Sequence, residues 1–122
     1  MQVFDLTGNF LRSFGEGVLT SPSSFASWGD SLIVAELNAR LSVFDARDEL
    51  VEYVGDNSAV VSRPGWPNSL DADDNVVPSQ ELRTDRFNSP HSVAVAADGS
   101  LFVAEWLVGG RYTKLTRRMT TP

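Results

Sequence analysis

Two interleaved internal repeats constrain this chain more than any other feature. Gln2-Val3-Phe4-Asp5, trailed by Gly8, Phe14 and Gly15, returns 40 residues later as Ser42-Val43-Phe44-Asp45, trailed by Asp48, Val54 and Gly55. Ser21-Pro22-Ser23-Ser24-Phe25, followed by Asp30-Ser31-Leu32-Ile33-Val34-Ala35-Glu36, also returns, its Ser-Pro pair 68 residues on. The second copy reads Ser89-Pro90-His91-Ser92-Val93, then Gly99-Ser100-Leu101-Phe102-Val103-Ala104-Glu105. A unit of about 40 residues cannot bury its apolar face alone, so such units stack on one another.

Between the turns, apolar residues alternate or run in short stretches, as strands do. Turns fall at Thr7-Gly8-Asn9, Gly29-Asp30, Arg47-Asp48 and Asp98-Gly99, where Gly, Asn and Asp tolerate left-handed backbone. No segment has a helical period. The expected fold is therefore all-β: a partial β-propeller of about two to two and a half four-stranded antiparallel blades. Residues 1–15 form a half blade, 19–55 a full blade and 87–118 the last blade. The 56–86 segment, with Pro64, Pro67 and Pro78, breaks the period and reads as a long ordered or semi-ordered loop. Such insertions usually sit on one face of a repeat protein, often the binding face. Six blades need roughly 250 residues. The 122 residues here are thus expected to be a C-terminal piece of a six-bladed propeller, or a chain that assembles with copies of itself. Open strand edges and half-covered faces favour self-association.

A formal net charge of −6 argues against a nucleic-acid surface, which needs clustered Lys and Arg. The basic residues Arg111, Lys114, Arg117 and Arg118 read as the solvated side of a last strand. No apolar run of about 18 residues marks a membrane span. No basic-then-apolar leader marks the chain for export, and the compartment is open. The absence of cysteine excludes disulfides, thiolate chemistry and cysteine-based zinc sites.

These residues resemble the NHL-repeat family of β-propellers. Pro90, Val93 to Val95, Asp98-Gly99 and Leu101 to Glu105 match one copy of its repeat. Pro22, Ile33 to Glu36, Val43 to Asp45 and Gly55 match a second, and Val3 to Asp5, Gly8 and Phe14-Gly15 a truncated third. Gly65-Trp66-Pro67-Asn68, Phe87-Asn88-Ser89-Pro90-His91, Ala104-Glu105-Trp106 and Gly110 to Leu115 look like the last blade of six-bladed propellers similar to the peptidyl-α-hydroxyglycine α-amidating lyases. The resemblance implies a natural C-terminus near Arg117, and a parent family often secreted or periplasmic. It also implies metal ligands at Pro-His pairs around the central channel. Only Pro90-His91 matches that pattern; the earlier blade has Pro22-Ser23 in its place.

His91, the single histidine, is thus either a hydrogen-bonded rim residue or one ligand of a divalent metal, zinc or calcium. Other ligands would have to come from further blades or copies, since catalytic zinc takes three protein ligands. Glu36 and Glu105 occupy equivalent places. They read either as carboxylates facing the channel or, preferably, as acceptors for backbone N–H groups of the following turn. Asp71-Ala72-Asp73-Asp74-Asn75 suggests calcium, but Val76 stands where that loop needs Gly and Leu82 where it needs Glu. It reads as a solvated acidic loop. Trp28, Trp66 and Trp106 are expected in packing, with Trp66 alternatively a ligand anchor. Arg111 is a candidate loop contact.

Two functions follow. The first is a binding scaffold for a protein, peptide or carbohydrate. The second is the C-terminal part of a metal-dependent lyase or hydrolase. No serine-hydrolase elbow, phosphate loop or dinucleotide fingerprint supports another class.

Overall fold

Consecutive buried residues in the middle of the chain and alternating ones near its end are the signature of a stack of sheets. In a computed structural model describing residues 1–116, strands β1 (Gln2–Phe4) and β2 (Phe10–Ser13) form a hairpin. Strands β3 (Pro22–Trp28), β4 (Ser31–Glu36), β5 (Arg40–Phe44) and β6 (Leu50–Val54) form a four-stranded antiparallel sheet in sequence order. A 3₁₀ helix (Ser58–Ser62) and a short hairpin of β7 (Ser69–Leu70) and β8 (Val76–Val77) follow. A three-stranded antiparallel sheet of β9 (Pro90–Val95), β10 (Leu101–Glu105) and β11 (Arg111–Leu115) ends the described residues. The expected extent of the last unit, to 118, and Arg117 and Arg118 with it, lie outside them.

The four-stranded sheet is covered on both sides, which is why Ile33 to Glu36 and all of β5 are buried without alternation. Its A face carries Ala26, Ile33, Ala35, Leu41 and Val43. These pack on Val93, Leu101 and Val103 of the three-stranded sheet and on Phe87. The B face carries Phe25, Val34 and Phe44. The β1–β2 hairpin lies over part of it, Phe14 meeting Phe44 edge-on with ring centroids 5.2 Å apart. By contrast β10 alternates strictly, because the described residues cover only one side of its sheet. Polar contacts fix the seam between the sheets. Trp28 Nε1 donates to the Gly99 carbonyl at 2.9 Å, and Ser23 Oγ donates to the Pro90 carbonyl at 3.2 Å.

One turn closes three of the hairpins. In Asp5–Asn9, Asp45–Glu49 and Asp71–Asn75, the N–H of the first residue donates to the carbonyl of the fifth, and the N–H of the fourth to the carbonyl of the first. The leading Asp Oδ1 accepts the N–H groups of the third and fifth residues at 2.9–3.0 Å. The fourth residue, Gly8, Asp48 or Asp74, is left-handed, as a three-residue loop with a bulge requires. The acidic run at 71–75 is therefore a hairpin turn whose leading carboxylate is occupied by its own backbone.

The 56–86 segment is more structured than the loop expected from its sequence, with a 3₁₀ helix and a hairpin. Its prolines mask the hairpin in the sequence. Hydrogen bonds fasten it at both ends: Asn57 Nδ2 donates to the Phe87 carbonyl at 3.0 Å, and Phe87 N–H to the Gly55 carbonyl at 3.0 Å. No helix among the described residues is long and apolar enough to cross a membrane.

Candidate functional site

Glu36 ends β4 and faces Arg40 across the β4–β5 pair. Its side chain is fully buried. Arg40 Nε donates to Oε2 at 2.8 Å, and Ser42 Oγ donates to the same oxygen. Oε1 accepts the Thr20 N–H at 2.6 Å and the Thr20 hydroxyl at 2.9 Å. Burial pushes the Glu36 carboxyl up, but the donors Arg40, Ser42 and Thr20 outweigh it and hold the group below its ordinary value. Arg40 also donates to the Val18 carbonyl at 2.8 Å and stacks over the Tyr53 ring at 3.9 Å.

The second unit repeats the arrangement. Glu105 ends β10 and faces Arg111 on β11. Its Oε1 accepts the Asn88 N–H at 2.5 Å and the Ser89 N–H at 3.0 Å, and Arg111 Nε donates to Oε2. Both carboxylates are spent on anchoring the segment that leads into the first strand of their unit. Neither faces an open channel. The backbone donors come from ahead of that strand, not from the following turn as expected. Nor is Arg111 the solvated residue that its sequence context suggests. It also donates to the Arg83 carbonyl at 2.6 Å and the Arg86 carbonyl at 2.8 Å, tying the end of the 56–86 segment to β11. Lys114 does lie outside, with its ammonium 5.4 Å from the Phe102 ring centre.

Within the 56–86 segment, closed on one side by Asn88 just ahead of β9, lies a pocket of about 290 Å³. Trp66, Leu70, Arg63, Asn68, Glu81 and Asn88 line it. Trp66 is half-buried, and its Nε1 donates to the Asn88 carbonyl at 2.9 Å. Asn88 Nδ2 in turn donates to the Pro67 carbonyl at 2.6 Å, and Asn68 Oδ1 accepts the Val108 N–H at 2.7 Å. Arg63 and Glu81 form an exposed ion pair in the pocket wall. Trp66 thus both packs and lines a pocket. Trp106, expected in packing, is 64% exposed, since none of the described residues covers it.

His91 is exposed near the start of β9. No group of three or more His, Cys, Asp or Glu side chains that could hold a metal ion occurs among the described residues. Among the described residues His91 thus stands without two further side chains of these types to complete a metal site. The sequence reading missed Arg40, Ser42, Thr20 and Asn88. Arg40 alone carried a signal, the Arg that opens the third strand after each repeated Glu. Compared with known proteins, the chain matches no family model, no curated protein and no solved structure.

Proposed function

We propose that this chain is part of an NHL-type propeller acting as a binding scaffold, and that its 56–86 segment recognises a peptide. The observation that carries the reading is the pocket walled by that segment. It sets an aromatic ring and Leu70 beside the exposed Arg63–Glu81 pair. An apolar slot next to both charges suits a peptide that buries one large side chain and pairs its flanking charges at the rim. The scaffold supports this by rigidity: Asn68, Asn88 and Arg111 fasten the segment to the last sheet. The stacked sheets and the repeated Glu–Arg anchors support the propeller assignment.

The test is selection from a displayed random-peptide library, followed by titration of the winners. Leu70→Asp is expected to weaken them about tenfold or more, equivalent to about 1.4 kcal/mol. Arg63→Glu should select against acidic flanks. Winners indifferent to both substitutions would overturn the assignment of this pocket.

A further inference from the structure

Given the peptide reading above, on which this rests, we infer that the Trp66 pocket takes one N–H and one carbonyl of the peptide main chain on the side-chain amides of Asn88 and Asn68. Both residues line the pocket. Each amide is held by a backbone group, and that bond decides which of its ends is left over. Asn88 Nδ2 donates to the Pro67 carbonyl at 2.6 Å, which leaves the acceptor end, Oδ1. Asn68 Oδ1 accepts the Val108 N–H at 2.7 Å, which leaves the donor end, Nδ2. Flipping either amide would set oxygen against oxygen or N–H against N–H, so both orientations are fixed.

Neither leftover atom has a hydrogen-bond partner among the described residues. Asn88 is only 5% exposed, yet the one sealed side-chain polar atom without a partner among those residues is Ser89 Oγ. Asn88 Oδ1 is therefore open, and the surface Asn88 keeps lies in the pocket wall. An acceptor recessed in this way is met by water or by an N–H of a ligand. The two amides are also neighbours, because the Pro67 carbonyl that holds Asn88 is bonded to the Asn68 nitrogen. In an extended chain the N–H and carbonyl of one residue point to the same side. One peptide residue can thus meet both amides while a large side chain fills the slot beside Trp66 and Leu70. Arg63 and Glu81 read the flanking charges. The amides read no side chain, since every residue but proline carries the same N–H. The pocket then accepts many sequences and rejects proline at one position.

The probes are the library peptides whose binding depends on Leu70, resynthesised with each peptide bond in turn replaced by an ester, which removes one N–H. At one position the ester is expected to weaken binding to the unsubstituted chain about tenfold, the loss of one hydrogen bond whose acceptor stays recessed. Esters elsewhere should have little effect, and proline should be absent from that same position. On the protein side Asn68→Asp is the matched variant. Its carboxylate still accepts the Val108 N–H and keeps that anchor, but an oxygen replaces Nδ2 and faces the peptide carbonyl. It is expected to melt as the unsubstituted chain does and to bind these peptides about tenfold more weakly. An ester series flat at every bond, or Asn68→Asp binding as well as the unsubstituted chain, would overturn main-chain recognition and leave the Leu70 slot standing. A library with no Leu70-dependent winner would overturn the peptide reading of the pocket, and main-chain recognition with it.

Discussion

Arg40 Nε lies 2.8 Å from Glu36 Oε2, with the carboxylate side chain fully buried and the guanidinium one nearly so. Such a pair contributes little over an apolar substitute but costs heavily when half of it is removed. Arg40→Ala, which strands the Glu36 charge, is expected to destabilise by about 3–5 kcal/mol. The exposed Arg12–Asp48 pair offers the contrast: Arg12→Ala should leave the urea midpoint nearly unchanged, because solvent screens an exposed pair. Urea unfolding of the two variants measures the difference.

Acid should unfold the protein through the same site. The Glu36 carboxyl titrates below its ordinary value in the folded state, so the folded form binds fewer protons than the unfolded form as pH falls. The stability this provides is present above the unfolded Glu value, about 4.3, and is lost as pH drops through the lower folded value. The Asp5, Asp45 and Asp71 carboxyls are likewise lowered by hydrogen bonds from Asn9, Glu49 and Asn75 at their turns. Urea midpoints are expected to stay level from neutral pH to about 5 and to fall below about 4.3. The fall should be shallower in Glu36→Gln, at lower overall stability.

Ser21 and Ser89 hold equivalent places with opposite consequences. Ser21 Oγ accepts the Asn38 N–H at 2.8 Å, whereas the buried Ser89 Oγ has no hydrogen-bond partner among the described residues. In the last unit Asn68 from the 56–86 segment caps the corresponding turn, at Val108. Ser21→Ala should therefore cost about 1 kcal/mol, and Ser89→Ala should be neutral or stabilising. Thermal melts of the pair check the asymmetry.

Arg111 serves Glu105 and the carbonyls of Arg83 and Arg86 with one planar group. Arg111→Lys keeps the charge but cannot make all three contacts. Hydrogen exchange in 83–86 is expected to accelerate while the β3–β6 sheet stays protected. Equal loss of protection in both would show that the contact supports the whole fold and not the segment.

Chelation should leave the thermal midpoint unchanged, because Glu36 and Glu105 are consumed by arginines and His91 stands outside any cluster of three ligands among the described residues. Native mass spectrometry of protein purified without chelator checks this directly. A stoichiometric metal that disappears in His91→Ala would restore the metal-ligand reading.

The sheets were legible because turn chemistry and side-chain period are local. Gly8, Asp48 and Gly99 fix their turns wherever the rest of the chain lies. The same logic could have found the β7–β8 hairpin, since Asp71, Asp74 and Asn75 stand where Asp45, Asp48 and Glu49 do. The acidic composition and the flanking prolines hid it. The anchors were half legible. Repetition singled out Glu36 and Glu105, but the backbone N–H groups they hold lie 16 or more residues back in the chain, at Thr20 and at Asn88 and Ser89.

What the sequence by itself determined is the all-β class and, outside the 56–86 segment, the strands and their antiparallel order, because each depends on residues a few positions apart. Tertiary structure alone decided which repeated residues became core and which became surface. Ile33 and Phe102 occupy the same place in their units, yet one is sealed and the other half exposed. The difference lies in what is stacked above each sheet, and stacking is a property of the whole array. Burial of the two glutamates followed in the same way: it required the segments before β3 and β9 to fold back over them.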